Sequence, residues 1–247
     1  MPELLTINPD LDRKSLAAAF TANGRVQVRD VLVPESANAI RDLLEHRTPW
    51  LVTWCAGNSG TRYISPDQLA AMSRDDMVAV ERAIAEAGHR DDFCYLYQSY
   101  PLDQAFVQKW HPGSLHEQLR DELRSEPFAA LLRDVTGHPE IVGADGYATH
   151  FAPGHFLSAH TDEGAKWRRV IAYVLNFTLA EWSPDFGGYL TFYDRNGDVE
   201  SALKPRFNTL NLFSVPQLHS VTRVAPFALA GRAAISGWAR ETPYPPG

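Results

Sequence analysis

The stretch SAHTDEG, residues 158–164, sets His160 and Asp162 a single residue apart. An imidazole and a carboxylate at that spacing either supply half of a metal site or open a polar turn. Chance alone provides about 0.6 His-x-Asp triplets in a chain with this histidine and aspartate content. A second copy does exist, His89-Arg90-Asp91, and a His-x-Glu besides, His138-Pro139-Glu140. His89 follows the helix-stop Gly88, where an imidazole interacts well with the helix dipole, and Pro139 stiffens a connection. Neither needs a chemical role. His160 and Asp162, by contrast, end the strand-like FLSAHTD, in which residues i and i+2 project to the same side of a sheet.

A third candidate ligand, His219, lies in VPQLHSVTRV, just after Pro216 marks entry into another strand. Farther on, Arg232 opens RAAISGWAR and shares a strand face with Ser236 and Trp238. An arginine heading a strand of small and apolar residues needs an acidic partner. That partner is either a structural carboxylate or the carboxylate of a bound ligand, held bidentately. Two histidines and one carboxylate on a β scaffold make the facial triad of non-haem Fe(II) centres, which leaves three coordination positions open. A 2-oxo acid can chelate two of them and O₂ take the third. The same three ligands would also hold Zn²⁺ in a jelly-roll binding protein or hydrolytic centre. His150 and His155 flank the turn before His160, but three ligands suffice without them.

The elements around these residues change texture along the chain. In residues 1–139 helical spacing dominates: DLDRKSLAAAFTANG with an Asn23-Gly24 stop, PESANAIRDLLEH with an N-terminal Pro, ISPDQLAAMSRDDMVAVERAIAEAGH, and PGSLHEQLRDELRSEPFAALLRDVTGH. GRVQVRDVLV and FCYLYQSYPL read as strands, and CAGNSGTRY, residues 55–63, as a flexible loop. Tyr95, Tyr97 and Tyr100 alternate as aromatics facing a core would, or as the edge of a groove would. From 140 to 240 short strands follow one another, with a turn at Ala152-Pro153-Gly154 and a hairpin signal at Asn196-Gly197. The reading is a single domain over 1–247, mostly β with flanking helices: a sandwich or barrel at 140–240 supported by a helix-rich region, 1–139.

At this level of detail the chain resembles a known family, the Fe(II)/2-oxoglutarate-dependent dioxygenases. It is most similar to the prolyl-4-hydroxylase-like group that includes the HIF prolyl hydroxylases and the yeast ribosomal-protein prolyl hydroxylase. The segments carrying the resemblance are FAPGHFLSAHTD, RRVIAYVLNFT, EWSPDFGGYLTFYD, FNTLNLFSVPQLHSVTRV and GRAAISGW, in that order, over roughly residues 140–240. The resemblance implies a double-stranded β-helix (jelly roll), with iron ligated by His160, Asp162 and His219. It also implies Arg232 on the 2-oxoglutarate carboxylate and Ser236 as a hydroxyl neighbour. The implied cofactors are Fe(II), 2-oxoglutarate and O₂, with ascorbate in a supporting role. The implied reaction hydroxylates a prolyl residue of a protein or peptide and releases succinate and CO₂. Relatives often contact 2-oxoglutarate through two tyrosines; those places hold Phe151 and Asn176 here. Asn176 shares a small-residue face with Val170, Ala172 and Val174 and is a candidate contact, as are Tyr147 and Tyr173, which read equally as core aromatics.

Other readings remain beside this one: hydroxylation of a free amino acid or small metabolite, a zinc-binding jelly roll, or a non-catalytic 2-oxoglutarate-binding protein. Arg168 and Arg169 read as surface residues or as the substrate mouth, and Trp238 as a core residue. With 45% hydrophobic residues and 21% charged, the chain can bury a core. A net charge of −7 argues against a nucleic-acid groove. No stretch reads as a signal peptide or a membrane span, and two cysteines make no disulfide framework, so a cytoplasmic protein is expected.

Overall fold

A computed structural model describes residues 3–163, 169–178 and 181–242. The first half of the chain alternates helices and strands. Helix α1 (Arg13–Asn23) begins with the Asp12 carboxylate accepting the Ser15 N–H and ends at Gly24, whose φ of 64° is the left-handed C-terminal stop. Strand β1 (Arg25–Arg29), helix α2 (Pro34–His46), the antiparallel pair β2 (Leu51–Ala56) and β3 (Arg62–Ile64), and helices α3 (Pro66–Ala71) and α4 (Arg74–His89) follow. The half closes with strand β4 (Cys94–Pro101) and helices α5 (Leu102–Val107), α6 (Leu115–Leu123) and α7 (Glu126–Thr136). No helix among the described residues is long and apolar enough to cross a membrane.

Residues 55–63, expected as a flexible loop, instead form the turn of the β2–β3 hairpin. Glycines 57 and 60 bend the chain at φ 60° and 73°, and Thr61 Oγ1 is tied to the Tyr95 hydroxyl at 2.6 Å. β2 pairs along its whole length with β4, so the bend is confined to residues 57–61 between β2 and β3.

The second half is strand after strand: β5 (Gly143–Ala144), β6 (Tyr147–Phe151), β7 (Phe156–His160), β8 (Ile171–Asn176), β9 (Leu190–Tyr193), β10 (Val199–Leu203), β11 (Thr209–Ser214), β12 (His219–Val221) and β13 (Arg232–Arg240). The Asn196-Gly197 signal does mark a hairpin, β9–β10. Hydrogen bonding runs in the order β1-β11-β8-β13-β6-β4-β7-β12-β9-β10, with antiparallel pairing along it. This is a double-stranded β-helix. One sheet, centred on β8 and β13, carries the helices on its outer face. The other, β7-β12-β9-β10, closes over its inner face.

Strand alternation sorts the core accordingly. Ile171, Tyr173 and Leu175 of β8 face outward and pack with Leu210, Leu212 and Ile235 against Leu119, Phe128 and Leu132 of the helices. Ala172 and Val174 face inward with Phe213, Leu190, Phe192 and Ala234. Buried on both faces, β8 reads as a continuous apolar run.

Gly237 of β13 lies where the chain before β6 crosses close: a Cβ there would stand 2.2 Å from the Asp145 carbonyl oxygen. Gly237→Ala is therefore expected to destabilise the fold by about 2 kcal/mol through overpacking. Urea unfolding would measure this, and an unchanged midpoint would refute the close approach.

Two histidines outside the cavity, His116 buried and His155 half-buried, make the fold acid-sensitive. His116 sits 3.0 Å from Thr48 Oγ1 and against the Tyr100 ring, and His155 Nδ1 accepts the Ala152 N–H. Burial above all pushes both imidazoles down to about 4. In the unfolded chain they take up a proton near 6.5. Their contribution is thus complete above that pH and is lost as pH falls toward 4. Denaturant midpoints should drop between pH 7 and 4.5, by about 2 kcal/mol per histidine, and His116→Phe should make the drop shallower.

Candidate active site

Cross-strand register, not sequence proximity, assembles the candidate ligands. His219 of β12 stands directly opposite His160 of β7, with ring centroids 4.2 Å apart. The alternation argument reaches only as far as His160, where β7 ends. Asp162 lies beyond the strand in the left-handed region, φ 64°, and that turn swings its carboxylate back toward the two imidazoles. His160 Nε2 is 3.4 Å from Asp162 Oδ1, and His219 Nε2 is 3.5 Å from Oδ2. All three ligand atoms lie within 4.8 Å of one another.

Each imidazole is oriented by its other nitrogen. His160 Nδ1 is 3.0 Å from the Ser158 carbonyl and His219 Nδ1 is 2.8 Å from that of Gln217. A carbonyl only accepts, so both Nδ1 atoms carry a proton and both Nε2 atoms face the cluster. Burial above all, then His160, pushes the His219 imidazole down to about 4, which keeps it neutral. Burial alone would raise the Asp162 carboxyl, but the His160 and His219 side chains more than offset it and hold it below the usual carboxylate range. Two imidazole nitrogens and one carboxylate suit a divalent cation. Ligand atoms about 2.1 Å from a shared ion and roughly 90–110° apart stand about 3.0–3.4 Å from each other, close to the separations found here. The donor set therefore fits the metal that the sequence implied. Arg169 backs the cluster: Nη1 is 3.8 Å from Asp162 Oδ1, and its guanidinium lies 3.4 Å over the Trp238 ring.

The cluster opens on a cavity of about 690 Å³ inside the β-helix, lined also by Arg232, Ser236, Tyr147 and Trp238. Arg232 is 2% exposed. Its Nη1 donates to the Gly188 carbonyl at 3.2 Å, its Nε has no partner, and no carboxylate among the described residues pairs with it. Burial pushes its pKa down to about 10, so it remains a cation at neutral pH. A buried, unpaired guanidinium facing a cavity needs an anion from outside the protein. Of the two partners considered for Arg232, the structural carboxylate is absent among the described residues.

Other candidates fall elsewhere. Asn176 is fully buried but does not line the cavity; its Nδ2 lies 3.3 Å from Thr209 Oγ1. Tyr173 touches the cavity lining but spends its hydroxyl on the Asp145 carbonyl at 2.8 Å. His150 turns away to Gln98 and Trp50. Arg168 lies outside the described residues. Trp238, expected in the core, forms part of the cavity wall. Tyr100 packs in the helix-side core, whereas Tyr95 and Tyr97 line the cavity. Alternation puts Tyr100 on the opposite face of β4 from Tyr95 and Tyr97, but it does not say which face looks onto the cavity.

Residues 147–240 match the family model described as the 2OG-Fe(II) oxygenase superfamily, which implies Fe(II), 2-oxoglutarate and O₂. The resemblance drawn from the sequence is borne out at that level, and solved structures agree on the fold. A prolyl-4-hydroxylase of Pseudomonas putida superposes with a TM-score of 0.57 at 17% identity, over 92% of this chain and 98% of the other. A prolyl hydroxylase of Trichoplax adhaerens, in complex with a hypoxia inducible factor oxygen degradation domain peptide fragment, gives 0.60 at 15%, over 93% and 89%. The non-heme alpha-ketoglutarate-dependent epimerase SnoN from nogalamycin biosynthesis gives 0.53 at 14%, over 91% and 80%. No curated protein matches the sequence.

Proposed function

We propose that this chain is an Fe(II)- and 2-oxoglutarate-dependent dioxygenase that hydroxylates a protein or peptide segment, with a prolyl residue as the first substrate to test. One observation carries the reading: a His160–Asp162–His219 cluster, with His219 buried and the other two half-buried, and a buried, unpaired Arg232 face the same cavity. His160, Asp162 and His219 would hold the iron, leaving positions open for the oxo acid and O₂. When bound, the iron couples oxidative decarboxylation of 2-oxoglutarate to succinate and CO₂ with hydroxylation of a C–H bond. Arg232 would fix the distal carboxylate, with the Ser236 and Tyr147 hydroxyls available farther along the same cavity wall. The Ser158 and Gln217 carbonyls keep the two imidazoles in the ligating tautomer, and the apolar walls of Phe151, Leu157 and Val221 exclude water from the bound acid.

A peptide is favoured over a free amino acid because the cavity offers one buried free cation among the described residues, and the oxo acid uses it. Arg169 is part-exposed and already engaged by Asp162 and Trp238. The mouth instead presents two exposed rings, Tyr63 at 38% and Phe93 at 40%, suited to a saturated ring or aliphatic side chain. The likeness to SnoN keeps a small metabolite as the second reading. One domain over 1–247 and a cytoplasmic setting, argued from two buried free cysteines, belong to the proposal.

The test is an anaerobic titration with Fe(II) and 2-oxoglutarate, read by the visible charge-transfer band of the chelate. Aerobic incubation with prolyl peptides and ascorbate would follow, read as a 16 Da gain in mass with stoichiometric succinate. Iron bound without a band sinks the 2-oxoglutarate reading. A band with hydroxylation of a small metabolite but of no peptide sinks the substrate class alone.

A further inference from the structure

The polar groups of the cavity divide into those with partners and those without. Tyr95 bonds Thr61, Ser99 bonds Thr53, Thr149 donates to the Ala234 carbonyl, and Thr161 donates to Glu163. Among the hydroxyls deep in the wall, those of Tyr97, Tyr147 and Ser236 make no hydrogen bond to any described residue. Tyr147 and Ser236 lie in the segment that resembles the oxygenases. Tyr97 does not: it comes from β4, well before residue 147, where the family match begins.

Its position follows from the way β4 divides its pairing. Tyr95 and Leu96 pair with Leu157 and Phe156 of β7, whereas from Gln98 onward β4 pairs with β6. Tyr97 stands at the fork where the metal-bearing strand and its neighbour part. A ladder of rings crosses the fork. Phe93 lies 5.2 Å from His160, Tyr95 5.3 Å from Phe93, Tyr97 5.2 Å from Tyr95, and Phe151 5.0 Å from Tyr97 in a stacked arrangement. Beyond Phe151 stands the Arg232 guanidinium, 5.4 Å from that ring. The ladder thus spans the wall between the candidate metal cluster and the anion anchor. Within it, Tyr97 carries a hydroxyl without a partner, and the ring it stacks on carries none.

We propose that Tyr97 is a binding residue for the 2-oxo dicarboxylate, donating its phenol O–H to a ligand oxygen between the metal and Arg232. The inference rests on the dioxygenase reading and deepens it: the supporting strand, not only the β-helix core, completes the co-substrate site. Burial pushes the phenol pKa up, so the group stays a neutral donor. A hydroxyl that faces the cavity without a protein partner is left free to donate to a ligand oxygen there.

The experiment compares wild type, Tyr97→Phe and Tyr95→Phe, the last removing a hydroxyl that already has a partner. Each is titrated anaerobically with 2-oxoglutarate in the presence of Fe(II), and separately with Mn(II) alone; thermal unfolding is followed with and without 2-oxoglutarate. The expected result for Tyr97→Phe is a Kd for 2-oxoglutarate about 10-fold weaker, unchanged Mn(II) affinity, and an unliganded Tm equal to or above wild type. Tyr95→Phe should bind 2-oxoglutarate as wild type does. If Tyr97→Phe binds within twofold of wild type, or if its unliganded Tm falls while binding holds, Tyr97 is structural and the inference fails alone. If wild type takes up metal but no 2-oxoglutarate, the dioxygenase reading and the inference fail together.

Discussion

Arg232→Met should give a protein that is more stable than wild type without ligand and indifferent to 2-oxoglutarate. Burying this guanidinium with one carbonyl contact and an orphaned Nε is expensive: the depression of its pKa to about 10 corresponds to a cost on the order of 3 kcal/mol. Methionine fills similar space and removes the charge. A gain of about 1–2 kcal/mol, or a Tm several degrees higher, is the expected size, since part of the benefit goes to imperfect packing. Binding should move the other way. Losing a charge-assisted, forked contact to a carboxylate in a buried site costs about 3 kcal/mol, roughly a 100-fold weaker Kd or worse. Arg232→Lys keeps the charge without the fork and should fall between. Calorimetric unfolding with and without 2-oxoglutarate separates these outcomes. A destabilised Arg232→Met that still gains Tm from 2-oxoglutarate would mean that the cation serves the fold.

The second large effect is at Asp162. Asp162→Ala removes the one anionic member of the cluster and leaves two imidazoles, with Arg169 nearby. Affinity for Mn(II), an Fe(II) surrogate that does not oxidise in air, should drop on the order of 1000-fold, well beyond the 10–100-fold typical of outer-sphere changes. The fold should survive, because Asp162 sits past the end of β7 and not within the β7–β12 pairing. Mn(II) titration followed by calorimetry measures the loss. Retained affinity would show that the carboxylate is not a ligand.

Part of the site is legible in the amino-acid sequence. Alternation puts Ala172 and Val174 on one face of β8, and that face does look inward. It also puts Arg232, Ser236 and Trp238 on one face of β13, and all three line the cavity. Asn176 shows the limit of the same rule. It shares the inward parity of Val174 but lies past the end of the cavity, because depth along a strand depends on where neighbouring strands stop. Residues 55–63 mark a second limit: glycine, asparagine and serine report a bend but not which of the flanking residues belong to strands β2 and β3.

What the sequence by itself determined is local: the residue types able to bind a metal and an anion, the periodicity that assigns side chains to faces, and the turns between strands. What only the tertiary structure decided is non-local. His160 meets His219 because β7 and β12 pair in one register, and slipping that register by one residue would turn one imidazole to the opposite face. Asp162 joins them through a left-handed backbone turn that its residue type permits but does not demand. Tyr97 faces the cavity because β4 is shared between β6 and β7 at the point where they separate. Each of these depends on hydrogen bonds between segments far apart in the chain, and residue spacing carries no record of which distant strand will supply the partner.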